Sequence, residues 1–213
     1  MLVTRQVSLG LGSLVLGLAW ANLGGASAHQ PFSSYMAAHM AVVAIAAPFL
    51  ALSLAGSRWD PVGRWPRAFP PIGASLVELI VVWAWHTPAL HALARQHTWA
   101  LSLEQASFLA AGLYLWISVL GGDAVQRRGV GIIALLLTAM HMTLLGALLA
   151  LAPRPLFEAV HAVPGLSAVD DQHLGGAIML VLGAAAYLIA GVWLSWGLVV
   201  RPSTSLPAGP EGH

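Results

Sequence analysis

Four short stretches of this chain carry side chains able to do chemistry within an otherwise apolar sequence. In "YMAAHM", Met36, His39 and Met40 stand at helical spacing and, at 100° per residue, share one helix face. Thioether and imidazole together make a soft-to-borderline ligand set, which suits copper and Cu(I) above all. The same residues also suit a plainer use, with methionine filling helix-interface gaps and histidine bonded to a backbone carbonyl. In "TAMHMTLLG", His141 stands between Met140 and Met142. Those methionines lie about 200° apart around a helix, so at most one, such as Met142, can join His141 at a common ligand.

The stretch "VELIVVWAWHTPALH" holds Glu78, His86 and Pro88. Pro88 cannot donate to the carbonyl of Ala84, so the helix opens or ends there. Glu78 lies about 80° around the helix from His86 and deeper in the apolar run. A mid-bilayer carboxyl must be protonated, paired or functional. Glu104 opens the next apolar segment, where an acid in a first helical turn complements the dipole. In "SAVDDQHLGGAIML", Asp170 can cap a helix and Asp171 sit in its first turn. Gly175 and Gly176 let a second helix approach closely, and His173 enters the same layer as His86.

The elements that must position these residues are membrane spans. Of 213 residues, 58% are hydrophobic and only 8% charged, with mean hydropathy +0.79. A soluble surface needs about 25% charge, so the expected fold is an all-α, polytopic bundle in a lipid bilayer. Segments 7–24, 33–55, 72–90, 103–121, 130–152 and 173–200 are each apolar for the roughly 20 residues a span requires. The first has a basic start and an Ala26-Ser27-Ala28 ending, like a secretory signal, and is read as an uncleaved signal-anchor. Residues 1–200 then form a single membrane domain, and the Pro/Gly/Ser-rich residues 201–213 a disordered cytoplasmic tail.

With both termini in the cytoplasm, seven arginines fall inside (Arg5, Arg58, Arg64, Arg67, Arg127, Arg128, Arg201) and two outside (Arg95, Arg154). That orientation puts His29, His91, His97 and His161 in outer loops and His39, His86 and His173 near outer span ends. His141 falls near mid-span, His213 in the tail, and no histidine in an inner loop. On straight helices His141 would lie ~16 Å and His39 ~9 Å below the outer ends of their spans, close enough for a bridging or adjacent site. With no cysteine, thiol catalysis, zinc-thiolate sites and disulfides are excluded. A net charge of +1 gives no field for nucleic acid. The sequence has no GxSxG or HExxH motif, and no enzyme is expected.

"YMAAHM" followed by "APFLAL", "WAWHTPALH", "LEQASFLAAGLYLW" and "DQHLGGAIM" together resemble the multi-spanning CtaG family, assembly factors for caa-type cytochrome c oxidase. The resemblance runs through most of residues 33–185. It implies a multi-pass protein of the bacterial plasma (inner) membrane, working with cytochrome c oxidase subunits and connected to copper delivery. Family members tend to carry a histidine near position 36 and histidines flanking the glutamate matched by Glu104, where this chain has Met36, Ser102 and Gln105.

The leading expectation is an assembly factor holding or passing copper at the outer face through His39, Met36, Met40, His86, His141, Met142 and His173. Glu78, Glu104 and Asp171 would be structural or proton-related. The alternative is a structural accessory subunit of a terminal oxidase, its histidines serving as interhelical hydrogen-bonders. A copper transporter or a haem protein fits less well, since haem needs two facing span histidines at matched depth.

Overall fold

Inside a bilayer no water is present to pair with backbone N–H and C=O groups, so an apolar chain meets them by coiling into helices. The computed structural model describes residues 2–24, 30–122, 125–157 and 165–199. The secondary structure among them is entirely helical. Helix α1 runs Leu2–Gly24. Next come α2 (Phe32–Met40), a π-helical turn (Ala41–Ala46) and α3 (Ala47–Leu54), which form one unbroken span. The short α4 (Pro61–Arg64) and a 3-10 turn (Pro66–Ala68) lead to α5 (Pro71–Trp85). The remaining helices are α6 (Pro88–Gln96), α7 (Thr98–Leu120), α8 (Val125–Ala150) and α9 (Ala168–Val199).

Five helices among the described residues are long and apolar enough to cross a membrane: Phe32–Leu54, Pro66–Trp85, Thr98–Leu120, Arg127–Ala150 and Ala168–Val199. The expected first span is also helical, and α1 lies along α3 and the π turn. The bundle is inverted relative to a soluble protein. Leu76, Ile80, Leu144, Leu148, Ile189, Val192 and Trp193 are exposed, whereas His39, Glu78, Glu104, Thr138 and Gln172 are buried. A chain solvated by acyl tails sorts its residues this way.

Two span boundaries differ from those expected. The third span ends at Trp85 rather than near residue 90, because Pro88 begins a separate helix. The carbonyl of Ala84, which Pro88 cannot serve, accepts instead from the Thr87 backbone N–H at 3.0 Å and the Thr87 hydroxyl at 2.7 Å. The fourth span begins at Thr98, so Glu104 lies nearly two turns inside it rather than at its mouth. The Ala26–Ala28 ending, His29, His161 and the tail 201–213 with His213 lie outside the described residues.

Helices α8 and α9 pair along their length. Their backbones meet where Gly176 faces Ala150 and Gly146: a Cβ added at Gly176 would stand 2.5 Å from the Ala150 amide nitrogen. The neighbouring Gly175 lies under the ring of Phe32, which a Cβ there would meet at 2.5 Å. Glycine thus lets α9 touch both α8 and α2.

At the opposite end, Asp60 gathers three backbone N–H groups, from Gly56 at 2.8 Å, Val62 at 2.9 Å and Gly122 at 3.2 Å. Arg127 donates to the carbonyls of Phe69 and Ser118, and Arg5 to that of Gly56 at 2.6 Å. Those arginines, assigned inside by their distribution, thus converge on one end of the bundle.

Two outcomes follow for experiment. Gly176→Ala should cost about 1–3 kcal/mol of stability by overpacking the α8–α9 crossing, read as a lower thermal transition in detergent. Gly191→Ala, with nothing within 4 Å of its added Cβ, is the control and should change little. A reporter active only outside the membrane, fused after Arg201, should stay silent; activity there would reverse the orientation.

Candidate functional site: a buried histidine pair

The pair is built where α2, α5 and α7 meet at the end the arginines assign to the outside. Pro31 and Phe32 open α2, and Pro31 has no side chain to cap it. The cap comes from α9: the Asp171 carboxylate accepts from the N–H of Phe32 at 2.6 Å, the N–H of Ser33 at 3.3 Å and the Ser33 hydroxyl at 2.5 Å. So fixed, α2 turns Tyr35, Met36, His39 and Met40 into the bundle, all fully buried. The His39 ring packs on Phe108 of α7, with centroids 4.0 Å apart. It meets His86 edge-on, with centroids 5.6 Å apart and planes at 61°.

His86 is the residue at which α5 stops, so its ring is carried by a helix end rather than a turn. Its Nδ1 lies 2.7 Å from the carbonyl of Val82. A carbonyl only accepts, so Nδ1 carries the hydrogen and, in the neutral ring, Nε2 keeps the lone pair. That Nε2 is buried without a partner, as are both ring nitrogens of His39. A carbonyl holding one nitrogen while the other stays free is how metal-ligating imidazoles are commonly oriented. Two imidazoles sharing one ion at ~2.0–2.1 Å from each nitrogen hold their centroids up to about 6 Å apart. The observed separation lies within that span.

The other expected residues take separate places. Met40 and Met142 converge on Gly183 of α9, where an added Cβ would meet the Met40 Cε at 3.4 Å and the Met142 Cβ at 3.6 Å. Met36 and Met142 are fully buried, whereas Met140 points outward. His141 is buried with neither ring nitrogen partnered. His173 donates Nε2–H to the carbonyl of Ala152 at 2.9 Å. Among the described residues no three His, Asp or Glu side chains converge as a metal-holding group, so His141 does not complete a triad with His39 and His86.

The carboxylates have partners. Glu104 is fully buried and accepts from the Tyr35 hydroxyl at 2.7 Å, a role its expected place in a first helical turn did not suggest. Glu78 accepts from the Tyr187 hydroxyl at 3.0 Å. Asp171 sits in the first turn of α9, as expected, and its carboxylate caps α2. Asp170 is not the cap expected of it: Ser167 caps α9 by accepting from the Asp170 N–H at 3.2 Å, and Asp170 accepts the Ser167 hydroxyl at 2.6 Å. Gln172 supports the outer loop, accepting from the Leu156 N–H at 2.6 Å and donating to the Leu149 carbonyl at 3.3 Å.

An aromatic layer that the sequence did not single out closes the outer side. Phe157 stacks on Phe32 at 4.8 Å and tilts against His91 at 4.4 Å. His91 also meets Tyr35 edge-on at 5.3 Å, and the Arg95 guanidinium lies 4.1 Å over the Tyr35 ring. Burial first, then the charge of Arg95 and the nearby His86, push the His91 pKa down to about 3. Unfolded, this imidazole titrates at about 6.5, so below that pH the unfolded chain binds a proton that the folded chain refuses. Its contribution therefore makes stability fall on acidification through the window from about 6.5 to 3, by up to ~1.4 kcal/mol per pH unit. His91→Phe should flatten the stability-versus-pH curve there by that slope. An unchanged curve would mean that folded His91 accepts the proton.

No curated protein and no solved structure matches this chain. One family model does, that of the cytochrome c oxidase caa3 assembly factor, over residues 2–200. With nearly the whole chain covered, this multi-pass membrane protein belongs to the Caa3_CtaG family of cytochrome c oxidase caa3 assembly factors.

Proposed function

We propose that this protein serves oxidase assembly, as a non-enzymatic factor in the bacterial plasma membrane, by holding copper for transfer between His39 and His86. One observation carries the reading: three ring nitrogens, both of His39 and Nε2 of His86, are buried together with no hydrogen-bond partner. Leaving buried polar groups unpaired costs stability, about 1–3 kcal/mol each. A site that bears this cost for adjacent imidazoles is suited to a ligand that restores their bonds. The fixed His86 tautomer offers one lone pair, and His39 offers another without competition from the backbone. Met36, fully buried one turn from His39 on the same face, is a thioether with the right softness for Cu(I).

The site suits transfer better than storage. Thioether and neutral imidazole hold Cu(I) without the retention of thiolates, and the chain has no cysteine. Phe32, His91 and Phe157 pack together beside Tyr35, one turn outward of His39, and entry and release at that end would require this aromatic layer to move. The partner at release is an oxidase subunit presenting its own copper ligands at the same membrane face.

Metal analysis of detergent-purified protein tests this directly. The parent chain should retain about one copper, and His39→Ala or His86→Ala should lose it while still inserting and folding. In cells, either variant should leave the oxidase under-metallated. Substituting His173, whose ring nitrogen is already spent on Ala152, should leave copper retention nearly unchanged. If His39→Ala binds copper normally and only lowers thermal stability, the pair is structural and the proposal fails.

A further inference from the structure

A second polar cluster lies deeper, away from the histidine pair. Glu78 is seven residues from either end of α5 and so about 10 Å from each. Its carboxyl is fully buried. Oε1 accepts from the Tyr187 hydroxyl at 3.0 Å, and Thr138 of α8 is near enough to act on the carboxyl as well. The Thr138 and Ser75 hydroxyls share a hydrogen bond of 2.8 Å. Tyr187 is held in turn: its ring stacks on Trp116 at 5.5 Å, and the Trp116 indole donates to the Val43 carbonyl in the π turn at 2.9 Å. Hydroxyls from α5, α8 and α9 therefore form one polar cluster with this acid, Tyr187 bonding it directly and Ser75 joined through Thr138.

The other carboxyl oxygen, Oε2, is buried and has no partner. Among the described residues no cation answers it. On the elements packed around α5, Glu104 is bonded to Tyr35, Arg127 to the carbonyls of Phe69 and Ser118, Arg95 lies over Tyr35, and His91 sits in the aromatic layer. Tyr114 donates to the Ala68 carbonyl at the inner end, Arg128 lies beside Gly197, and His141 is one turn from Thr138 toward the outside. His86 lies two turns outward on the chain of α5 itself, while Asp170, Asp171 and His173 sit in the first turns of α9. A carboxylate with one bare oxygen in a dry interior costs several kcal/mol. A proton on that oxygen removes the charge and leaves the Tyr187 hydrogen bond intact.

We propose that Glu78 binds an exchangeable proton on Oε2 at neutral pH, and that Glu78, Tyr187, Thr138 and Ser75 form a mid-membrane proton site separate from the histidine pair. Taking up the proton neutralises the carboxylate. Releasing it restores the charge, stabilised by the Tyr187 hydroxyl but bare at Oε2, so release must admit water or draw in a hydroxyl. Thr138 is placed for that, since a hydroxyl both donates and accepts. The proton state of Glu78 thereby bears on Tyr187, through Tyr187 on Trp116, and through Trp116 on the π turn that follows Met40.

Difference infrared spectroscopy of the full chain in lipid tests this without reference to copper. At neutral pH the parent should show the carbonyl stretch of a protonated carboxylic acid, absent in Glu78→Gln and shifted when the buffer is exchanged for D2O. Tyr187→Phe should move that band upward, because the carbonyl loses its one donor. If Glu78→Gln fails to fold, Tyr187→Phe decides alone, and an unshifted band overturns the proposal. A carboxylate signature at neutral pH, or a band that never exchanges in D2O, also overturns it. So does a band bleached by sodium at constant pH but not by potassium, which would make this a metal-cation site. Glu78→Gln should retain copper like the parent, so failure of the copper reading and failure of this one remain distinguishable.

Discussion

The bond from Asp171 to the start of α2 is the interaction on which the outer half of the bundle depends. A helix begins with amide hydrogens that its own turns cannot satisfy, and in an apolar surrounding water does not replace the missing partners. Phe32 and Ser33 present two of them directly after a proline, so the cap must come from elsewhere in the chain. Asp171 supplies it across 139 residues of sequence, tying the last span to the second. Such a cap contributes about 0.5–2 kcal/mol on a soluble helix, and a buried, charged acceptor belongs at the strong end of that range. Gly175, one turn along, then has to be glycine-sized for Phe32 to lie down against α9. The positions of His39, Tyr35 and Met40 all follow from this joint.

The histidine pair and the acid cluster divide the interior between two kinds of donor. Nitrogen stands at the outer level, where the His39 and His86 rings meet, with Met36 buried one turn from His39. Oxygen gathers at the middle, where Glu78, Tyr187, Thr138 and Ser75 meet. The two sites use different atoms, so a soft ion at the histidine pair and a proton at Glu78 do not compete, while the buried Glu104 carboxyl near the pair is bonded to Tyr35.

Much of this was legible in the residues. Low charge and long apolar runs required helices across a bilayer, and Pro88 signalled a break in the third span, because the carbonyl it abandons is four residues upstream, though not that the span stops at Trp85. His39 and His86 were legible as buried and near one end. Their pairing was not, since depth along two helices says nothing about which way each ring turns. Glu104 was hidden for a different reason. Its partner, Tyr35, lies 69 residues away on another helix, and only the early start of α7 at Thr98 places it inside. The aromatic layer was equally opaque: Phe157 comes from a loop whose course no periodicity constrains. The "DQHLGG" run was conspicuous, but its meaning is mechanical, with Asp171, Gln172 and His173 each spent on a backbone group of another segment.

The π turn at Ala41–Ala46 changes how the second span is to be read. A π turn closes i→i+5 rather than i→i+4, so it takes in one residue more than the helices on either side. The two halves of this span are therefore out of phase by about 100°, one residue's rotation. Met36 and Met40 before the turn and Ala47 and Ala51 after it nonetheless pack in one core. That slip leaves the Val43 carbonyl free for the Trp116 indole and brings both halves' small residues inward at once. Relatives that lack or gain a single residue between positions 41 and 46 would keep every hydrophobic residue and still present a different face to the membrane. In this span, length is as much a part of the code as side-chain identity.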